Sequence, residues 1–208
     1  MKTYDAYLFD WDGTLAQTLP IWVAAIQEGY AWYGIEATAE EIGPLLGDWQ
    51  ATSQPIPSAE RTHFREWTES MANAQLSKPP LYEDAIPLLR ALKTANKKLA
   101  LITTTKREAI DIVLSHHELV LLFDLVITGD EVSAHKPSPE GILFALKSFG
   151  IEKTRAVMLG DSDKDLGAAQ NAGIDSILFY PESHKLVHDR AFLESFNPTL
   201  TIANWSEL

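Results

Sequence analysis

The stretch Ala6-Tyr7-Leu8-Phe9-Asp10-Trp11-Asp12-Gly13-Thr14 decides the fold. Its first four residues are apolar and run directly into an acidic turn, the pattern of a short strand with polar groups at its carboxyl end. The pattern returns at residues 99–103, 125–127, 156–159 and 176–179, which end in or run into Thr103, Thr128, Gly160-Asp161 and Tyr180. Between these runs, apolar residues recur three or four apart, as in Ala85, Leu88, Leu89 and Leu92, and again in Ile110, Val113 and Leu114. Short strands alternating with helical periodicity predict an α/β fold, a doubly wound parallel sheet covered by helices.

Helix boundaries follow from the same reading. Ser138 followed by Pro139 predicts an N-cap and first helical position for a helix running to about Phe149, with Ile142, Leu143 and Leu146 inward and Gly150 as its stop. One segment departs from the alternation. From about residue 16 to residue 80 there are only two amphipathic stripes, Trp22, Ile26, Tyr30, Tyr33 and then Phe64, Trp67, Met71. A middle punctuated by Gly43-Pro44, Gly47 and Pro55-Ile56-Pro57 separates them. This predicts a helical domain, residues 16–80, inserted into a core made of residues 1–15 and 81–208. Ser77-Lys78-Pro79-Pro80 marks the far boundary, because consecutive prolines favour extended chain.

Composition narrows the chemistry. The 208 residues carry 17 Lys+Arg against 29 Asp+Glu, a formal net charge of −12, and no cysteine. Absence of cysteine excludes a disulfide framework, a Cys-ligated zinc and a thiol nucleophile, so catalysis would run on oxygen, nitrogen or a metal they hold. The acidic balance without a basic stripe argues against a nucleic-acid partner. The first ten residues include Asp5 and Asp10 and no signal-like apolar core, and the most apolar later stretch, 118–129, is broken by Asp124 and too short to span a bilayer. A cytoplasmic protein without a membrane partner is expected, and both a monomer and a homodimer are compatible with the sequence.

Ligands of an open parallel sheet bind outside the carboxyl ends of its strands, so those positions are the candidates. Asp10 and Asp12, two apart in extended chain, lie on one side and suit a nucleophile and an acid, while Asp-Gly is also an ordinary turn pair. Asp161 and Asp165 are four apart after the fourth strand; converging carboxylates suit Mg²⁺, and acids at a helix N-terminus also simply favour its dipole. Asp163 fits that second reading. Lys136, restricted by Pro137, supplies a positive charge beside this cluster. Thr103-Thr104-Thr105 offers hydroxyls and amides for an anion at the start of a helix near Arg107. The histidines show no metal signature: His116 and His117 are adjacent and expected to point apart on a helix, and His135 merely flanks Lys136. Among the tryptophans, Trp49 beside Gly47 is the candidate substrate contact; Trp22 and Trp67 read as packing.

Four pieces in this order, Asp10-Trp-Asp12-Gly-Thr-Leu, the strand end at Thr103, Lys136-Pro-Ser-Pro-Glu140, and Gly160-Asp161-Ser-Asp-Lys-Asp165 leading to Gly173, resemble the haloacid dehalogenase-like superfamily of phosphohydrolases, most closely its phosphoglycolate phosphatase-like group. The resemblance spans residues 6–180 and implies a Rossmann-like core with an α-helical cap. It implies that Asp10 attacks phosphorus to give an aspartyl-phosphate, and that Asp12 acts as acid and then base, its pKa raised by Asp10. Mg²⁺ would be held by Asp10, the Asp12 backbone carbonyl and Asp161. Thr103 and the Thr104 amide would bind phosphoryl oxygens, Lys136 would stabilise the transferring group, and Asp165 would orient Lys136 or a water on the metal. The substrate implied is a small phosphorylated metabolite. A phosphomutase of the β-phosphoglucomutase type and a non-catalytic interaction protein on the same scaffold are the alternatives. Where relatives carry Asp-Ser after the first motif, this chain has Gln17-Thr18; Thr18 is still expected to N-cap the first cap helix.

Overall fold

Six strands, β1 (Ala6–Phe9), β2 (Lys98–Ile102), β3 (Leu125–Ile127), β4 (Ala156–Gly160), β5 (Asp175–Phe179) and β6 (Leu200–Ile202), pair in parallel in the order β3-β2-β1-β4-β5-β6. This is a Rossmann-like α/β sheet. The computed structural model describes residues 2–46 and 53–208. Strand β6 is absent from the expectations above, since Leu200-Thr201-Ile202 is broken by a threonine where β3, equally short, is an unbroken apolar run; it joins the edge by pairing Ile177–Phe179 of β5 with its own three residues.

Along β1, Ala6 and Leu8 enter one apolar cluster and Tyr7 and Phe9 the opposite one, all of them buried. A sheet covered on both faces has no polar side, and its strands therefore read as unbroken apolar runs. Tyr7 and Phe9 join Leu99, Leu101, Val157 and Leu159 under helices α4 (Ala85–Thr94) and α5 (Arg107–His116). On the other face Leu8, Ala100, Ile102 and Met158 meet α6 (Glu140–Phe149) and α7 (Asp163–Ala172). Burying each such Leu or Phe contributes about 1.5–3 kcal/mol. The strand order runs outward from β1 in both directions, so the chain's reversal point lies between β1 and β4, where the carboxyl ends diverge into a crevice.

Between β1 and α4 the chain forms α1 (Leu19–Trp32), the short α2 (Ala39–Ile42) and α3 (Arg61–Leu76). Tyr30 stacks on Phe64 at 5.2 Å, and Leu19, Val23, Ile26, Ile42, Leu45 and Ile56 complete a small core that also takes in Val187 from the loop after β5. The predicted stripe on α3 is rotated. Met71 is 41% exposed, whereas Phe64, Thr68 and Ala72 are buried. A threonine is admitted to this face because its hydroxyl donates to the Phe64 carbonyl at 2.8 Å, leaving no unsatisfied polar group. Tyr33, at the end of α1, is likewise 36% exposed. Trp49 lies outside the described residues.

Two further expectations shift. Helix α6 begins at Glu140, one residue later than predicted; Pro139 occupies the cap position, and the Ser138 hydroxyl accepts from the Glu140 amide at 3.3 Å. Leu143 is exposed, because the buried stripe is Gly141, Ile142, Ala145 and Leu146. At Gly141 an added Cβ would stand 3.0 Å from the Ile102 side chain, so that face of α6 lies tight on β2. Among the described residues no helix is long and apolar enough to cross a membrane.

Candidate functional site

The carboxyl end of β1 delivers Asp10 into the crevice, 7% exposed. Trp11 turns back into the core, so Asp12 follows on the crevice side. The chain then doubles on itself through Gly13, whose φ of +74° is strained for any residue with a Cβ. Space forbids a side chain there as well: an added Cβ would sit 2.3 Å from Asp161 Oδ2. Gly13 thus lets the β1 loop lie directly against the carboxylate that follows β4.

That carboxylate is 2% exposed and well partnered. Asp161 Oδ1 accepts from the Thr14 hydroxyl at 2.8 Å, and Oδ2 lies 3.1 Å from His188 Nε2. Burial alone would raise the Asp161 pKa, but the His188 contact, the nearby His184 and His188 rings and Thr14 outweigh it and hold the carboxyl below its usual value. Helix α7 starts two residues on, at Asp163 rather than at Asp161, with a capping box between Ser162 and Asp165. Asp165, fully buried, accepts from the Ser162 amide at 3.1 Å and hydroxyl at 2.6 Å on Oδ2. Its Oδ1 receives Lys136 Nζ at 2.6 Å.

Lys136 Nζ also reaches Asp10 Oδ1 at 2.7 Å and the Ile102 carbonyl at 3.0 Å. Three donors of one ammonium are therefore spent on β1, β2 and α7. Burial works against its charge, yet Asp10 and Asp165 together raise its pKa above the ordinary lysine value. Asp10 has no comparable relief: burial first, then the neighbouring Asp165, push its carboxyl well up, and Lys136 only partly opposes them. Asp12 is also raised. The chief cause is burial, and the carboxylate acting on it is Asp161 rather than Asp10; the hydroxyls of Thr105, at 2.8 Å, and Thr18 pull it back.

Thr103 is buried at the end of β2 and its Oγ1 accepts from the Thr105 amide at 3.1 Å, while Thr104 is exposed at the rim. Asp10, Asp12, Thr103, Thr104, Lys136, Asp161 and Asp165 therefore all gather at the carboxyl ends of β1, β2 and β4. Oxygens of Asp10, Asp161 and Asp165 lie within 4.8 Å of one another, a hard-donor set of the kind Mg²⁺ takes. Asp165 gives one oxygen to Lys136 and the other to Ser162, and Asp161 gives its two to Thr14 and His188, so a cation held here would share these carboxylates with their present partners.

Thr18 departs from its expected role. It makes no side-chain cap on α1; its Oγ1 accepts from the Gly13 amide at 3.2 Å, bracing the β1 loop. The histidines depart too. The rings of His116 and His117 stand 4.8 Å apart rather than diverging, because His117 sits past the last turn of α5, where it binds the Pro79 carbonyl. His184 and His188, which carry no recognisable metal signature in the sequence, both approach Asp161. Their only sequence signal is a spacing of four residues. Burial lowers the His184 pKa to about 4 in spite of the opposing pull of Asp161.

Residues 7–179 match the family model described as haloacid dehalogenase-like hydrolase. The pyrophosphatase PpaX of Bacillus cereus (strain AH820) is 27% identical over 207 residues, 97% of this chain and 93% of that protein. The crystal structure of CbbY from Rhodobacter sphaeroides in complex with phosphate superposes with a TM-score of 0.70 at 25% identity, covering 99% of this chain and 96% of that one. The structure of a predicted phosphoglycolate phosphatase from Haemophilus somnus 129PT gives a TM-score of 0.80 at 19% identity, covering 100% and 97%, and so shares the fold.

Proposed function

The chain belongs to the haloacid dehalogenase-like hydrolase family, and on that premise we propose that it is a Mg²⁺-dependent phosphatase cleaving a small phosphate monoester through an aspartyl-phosphate. One observation carries the reading: Asp10, with a raised pKa, is held by a buried lysine that is itself anchored on Asp165, and faces a second buried carboxylate, Asp161. Such an arrangement is short of positive charge and rich in oriented groups. It fits a site completed by a divalent cation and an anionic substrate.

In the first step an Asp10 carboxylate oxygen forms a bond to phosphorus as the bond to the leaving alkoxide breaks. Asp12 gives its proton to that alkoxide, for which its raised pKa keeps it protonated further toward neutrality than an ordinary carboxyl. In the second step water attacks phosphorus, Asp12 takes the water's proton and the bond to Asp10 breaks, restoring both residues. Lys136 neutralises charge on Asp10 and the transferring group, Asp165 positions Lys136, and Thr103 with the Thr104 amide receives phosphoryl oxygens. Asp10, the Asp12 backbone carbonyl and Asp161 would hold Mg²⁺, which when bound supplies charge neutralisation to nucleophile and phosphoryl group together. Residues 16–80 would act as a cap over a core of residues 1–15 and 81–208, with the cap's loops choosing the substrate.

The test is a panel of phosphate monoesters plus pyrophosphate, with and without Mg²⁺, followed by release of inorganic phosphate. Hydrolysis of at least one small monoester only with Mg²⁺ is expected. Pyrophosphate as the sole substrate would move the reading to the activity named for the Bacillus relative. Turnover that needs a sugar bisphosphate primer and releases little phosphate would move it to the phosphomutase, and a wholly inactive panel would favour the interaction protein.

A further inference from the structure

The loop after β5 carries an apparatus that the phosphatase reading does not use. Pro181 leads into a short 3₁₀ turn, Glu182–Leu186, which buries His184 completely. Its ring is boxed by Tyr82, Phe179 and Tyr180, with centroids 5.8, 5.9 and 6.1 Å away. Nε2 meets the Tyr82 hydroxyl at 2.8 Å, which fixes the ring with Nδ1 aimed at Asp161 Oδ2, 4.0 Å off. Among the described residues Nδ1 has no partner in hydrogen-bond geometry, although the Gly13 carbonyl lies nearby. A buried side-chain nitrogen without a partner is rare in native proteins and calls for an explanation. His188 completes the arrangement. Its amide donates to the His184 carbonyl at 2.8 Å, closing the turn, and its Nε2 lies on the same Asp161 oxygen.

Two imidazole nitrogens and one carboxylate oxygen, all within 4.8 Å of one another, thus surround a common point. The Tyr82 contact is made by either tautomer of His184; in the one that donates from Nε2, the form a cation binds, Nδ1 presents a lone pair to a carboxylate across a gap. Acceptor facing acceptor is repulsive unless a cation stands between them. The donor set selects the ion: imidazole suits zinc and its neighbours, whereas Mg²⁺ prefers oxygen alone. The outer groups of such a centre are present as well, Tyr82 on the far nitrogen of His184 and Thr14 on the far oxygen of Asp161. His188, its side chain 15% exposed, leaves a way in.

We propose that Asp161 Oδ2, His184 Nδ1 and His188 Nε2 form a second divalent-cation site, for a borderline ion of the Zn²⁺ class, beside the oxygen-lined Asp10–Asp161 centre. Sharing Asp161 makes the two sites antagonistic: zinc draws the carboxylate toward the histidines and weakens the hold on Mg²⁺, so Zn²⁺ inhibits. The inhibition rests on the phosphatase reading; the binding does not.

Calorimetric titration of the full chain with Zn²⁺, and titration with Co²⁺ read by its visible absorption, measure the site directly. One equivalent is expected, with the bands of a four-coordinate imidazole-ligated ion. His188→Gln should weaken binding at least about tenfold, as should Tyr82→Phe, whose hydroxyl only orients His184. Should His184→Gln fail to fold, His188→Gln carries the test at a partly exposed position. No binding by the wild-type chain overturns the proposal, and so does binding that survives His188→Gln, which would assign the ion elsewhere, for example to His116 and His117. For the antagonism, micromolar Zn²⁺ should depress Mg²⁺-supported phosphate release in the wild type and spare the His188→Gln variant relative to its own uninhibited rate. Undiminished wild-type turnover with zinc bound overturns the antagonism. Protein that binds zinc at these residues yet hydrolyses nothing sinks the phosphatase reading and leaves the site standing.

Discussion

The loops after β1 and β4 are both acidic, both buried and face each other across Gly13; burial pushes both carboxyls up, yet their net shifts are opposite. Burial would raise Asp161 as well, but the His188 contact and the Thr14 hydroxyl outweigh it and hold the carboxyl below the usual range. Asp10 is driven above that range because burial and Asp165 act on it with only Lys136 to offset them. The lesson concerns charge compensation rather than residue type. The β4 carboxylate already has a hydrogen-bonded neighbour on each oxygen, whereas the β1 carboxylate is a reactive group that becomes comfortable only when a cation and a phosphoryl group arrive.

The sharpest way to break this contrast is Asp10→Asn. Removing the nucleophile should lower turnover on the order of 10⁴-fold or more. The same change should raise the metal-free melting temperature at neutral pH. A carboxyl whose folded pKa is raised contributes stability that is present at acid pH and lost as pH rises through that pKa, so the neutral amide removes a penalty at pH 7. Phosphate release and thermal melts without divalent ions check the two halves.

Next in size, Asp12→Asn should reduce the rate by about 10²–10⁴. It should also erase the alkaline limb of the rate profile, since wild-type activity falls as pH rises through the pKa of the acid. An unchanged alkaline limb would assign the proton transfer to another group. Gly13→Ala forces a positive-φ residue with a Cβ against Asp161 and should destabilise the fold by more than about 1 kcal/mol, read by denaturant titration. The mildest change is Thr14→Val. It deletes one hydrogen bond to Asp161 and should cost about 1 kcal/mol at neutral pH. Because the folded pKa of Asp161 is depressed, the stability it contributes is present above the unfolded value and lost as pH falls, so the variant's deficit should shrink under acid conditions.

Much of this contrast was legible in the sequence, and the reason is local. Asp10, Asp12, Asp161 and Asp165 sit within a few residues of apolar strand runs, and the strand ends of a parallel sheet converge by topology. Residues contributed by side-chain geometry over long separations were not legible. Thr105, expected only as part of an anion-binding run, reaches Asp12 from the loop before α5, and His188 comes to Asp161 from a 27-residue separation through a 3₁₀ turn that has no amphipathic period. Thr18 looked like a helix cap and instead braces Gly13, because a hydroxyl at that position can serve either neighbour and only the fold of the loop decides. On α3 a satisfied threonine lies on the buried face, which rotates the apparent stripe away from Met71. The parallel α/β sheet followed the expected plan, apart from β6, whose pairing depends on β5 already being in place.

In the proposed reaction Asp10 becomes covalently phosphorylated. Rapid acid quench of the wild-type chain, mixed with Mg²⁺ and a monoester it hydrolyses, followed by peptide mass mapping, measures this directly. One phosphoryl group on Asp10 is expected, appearing and decaying at rates that sustain turnover and missing from Asp10→Asn. Steady phosphate release with an unmodified Asp10 at every time point, or undiminished turnover by Asp10→Asn, would contradict it.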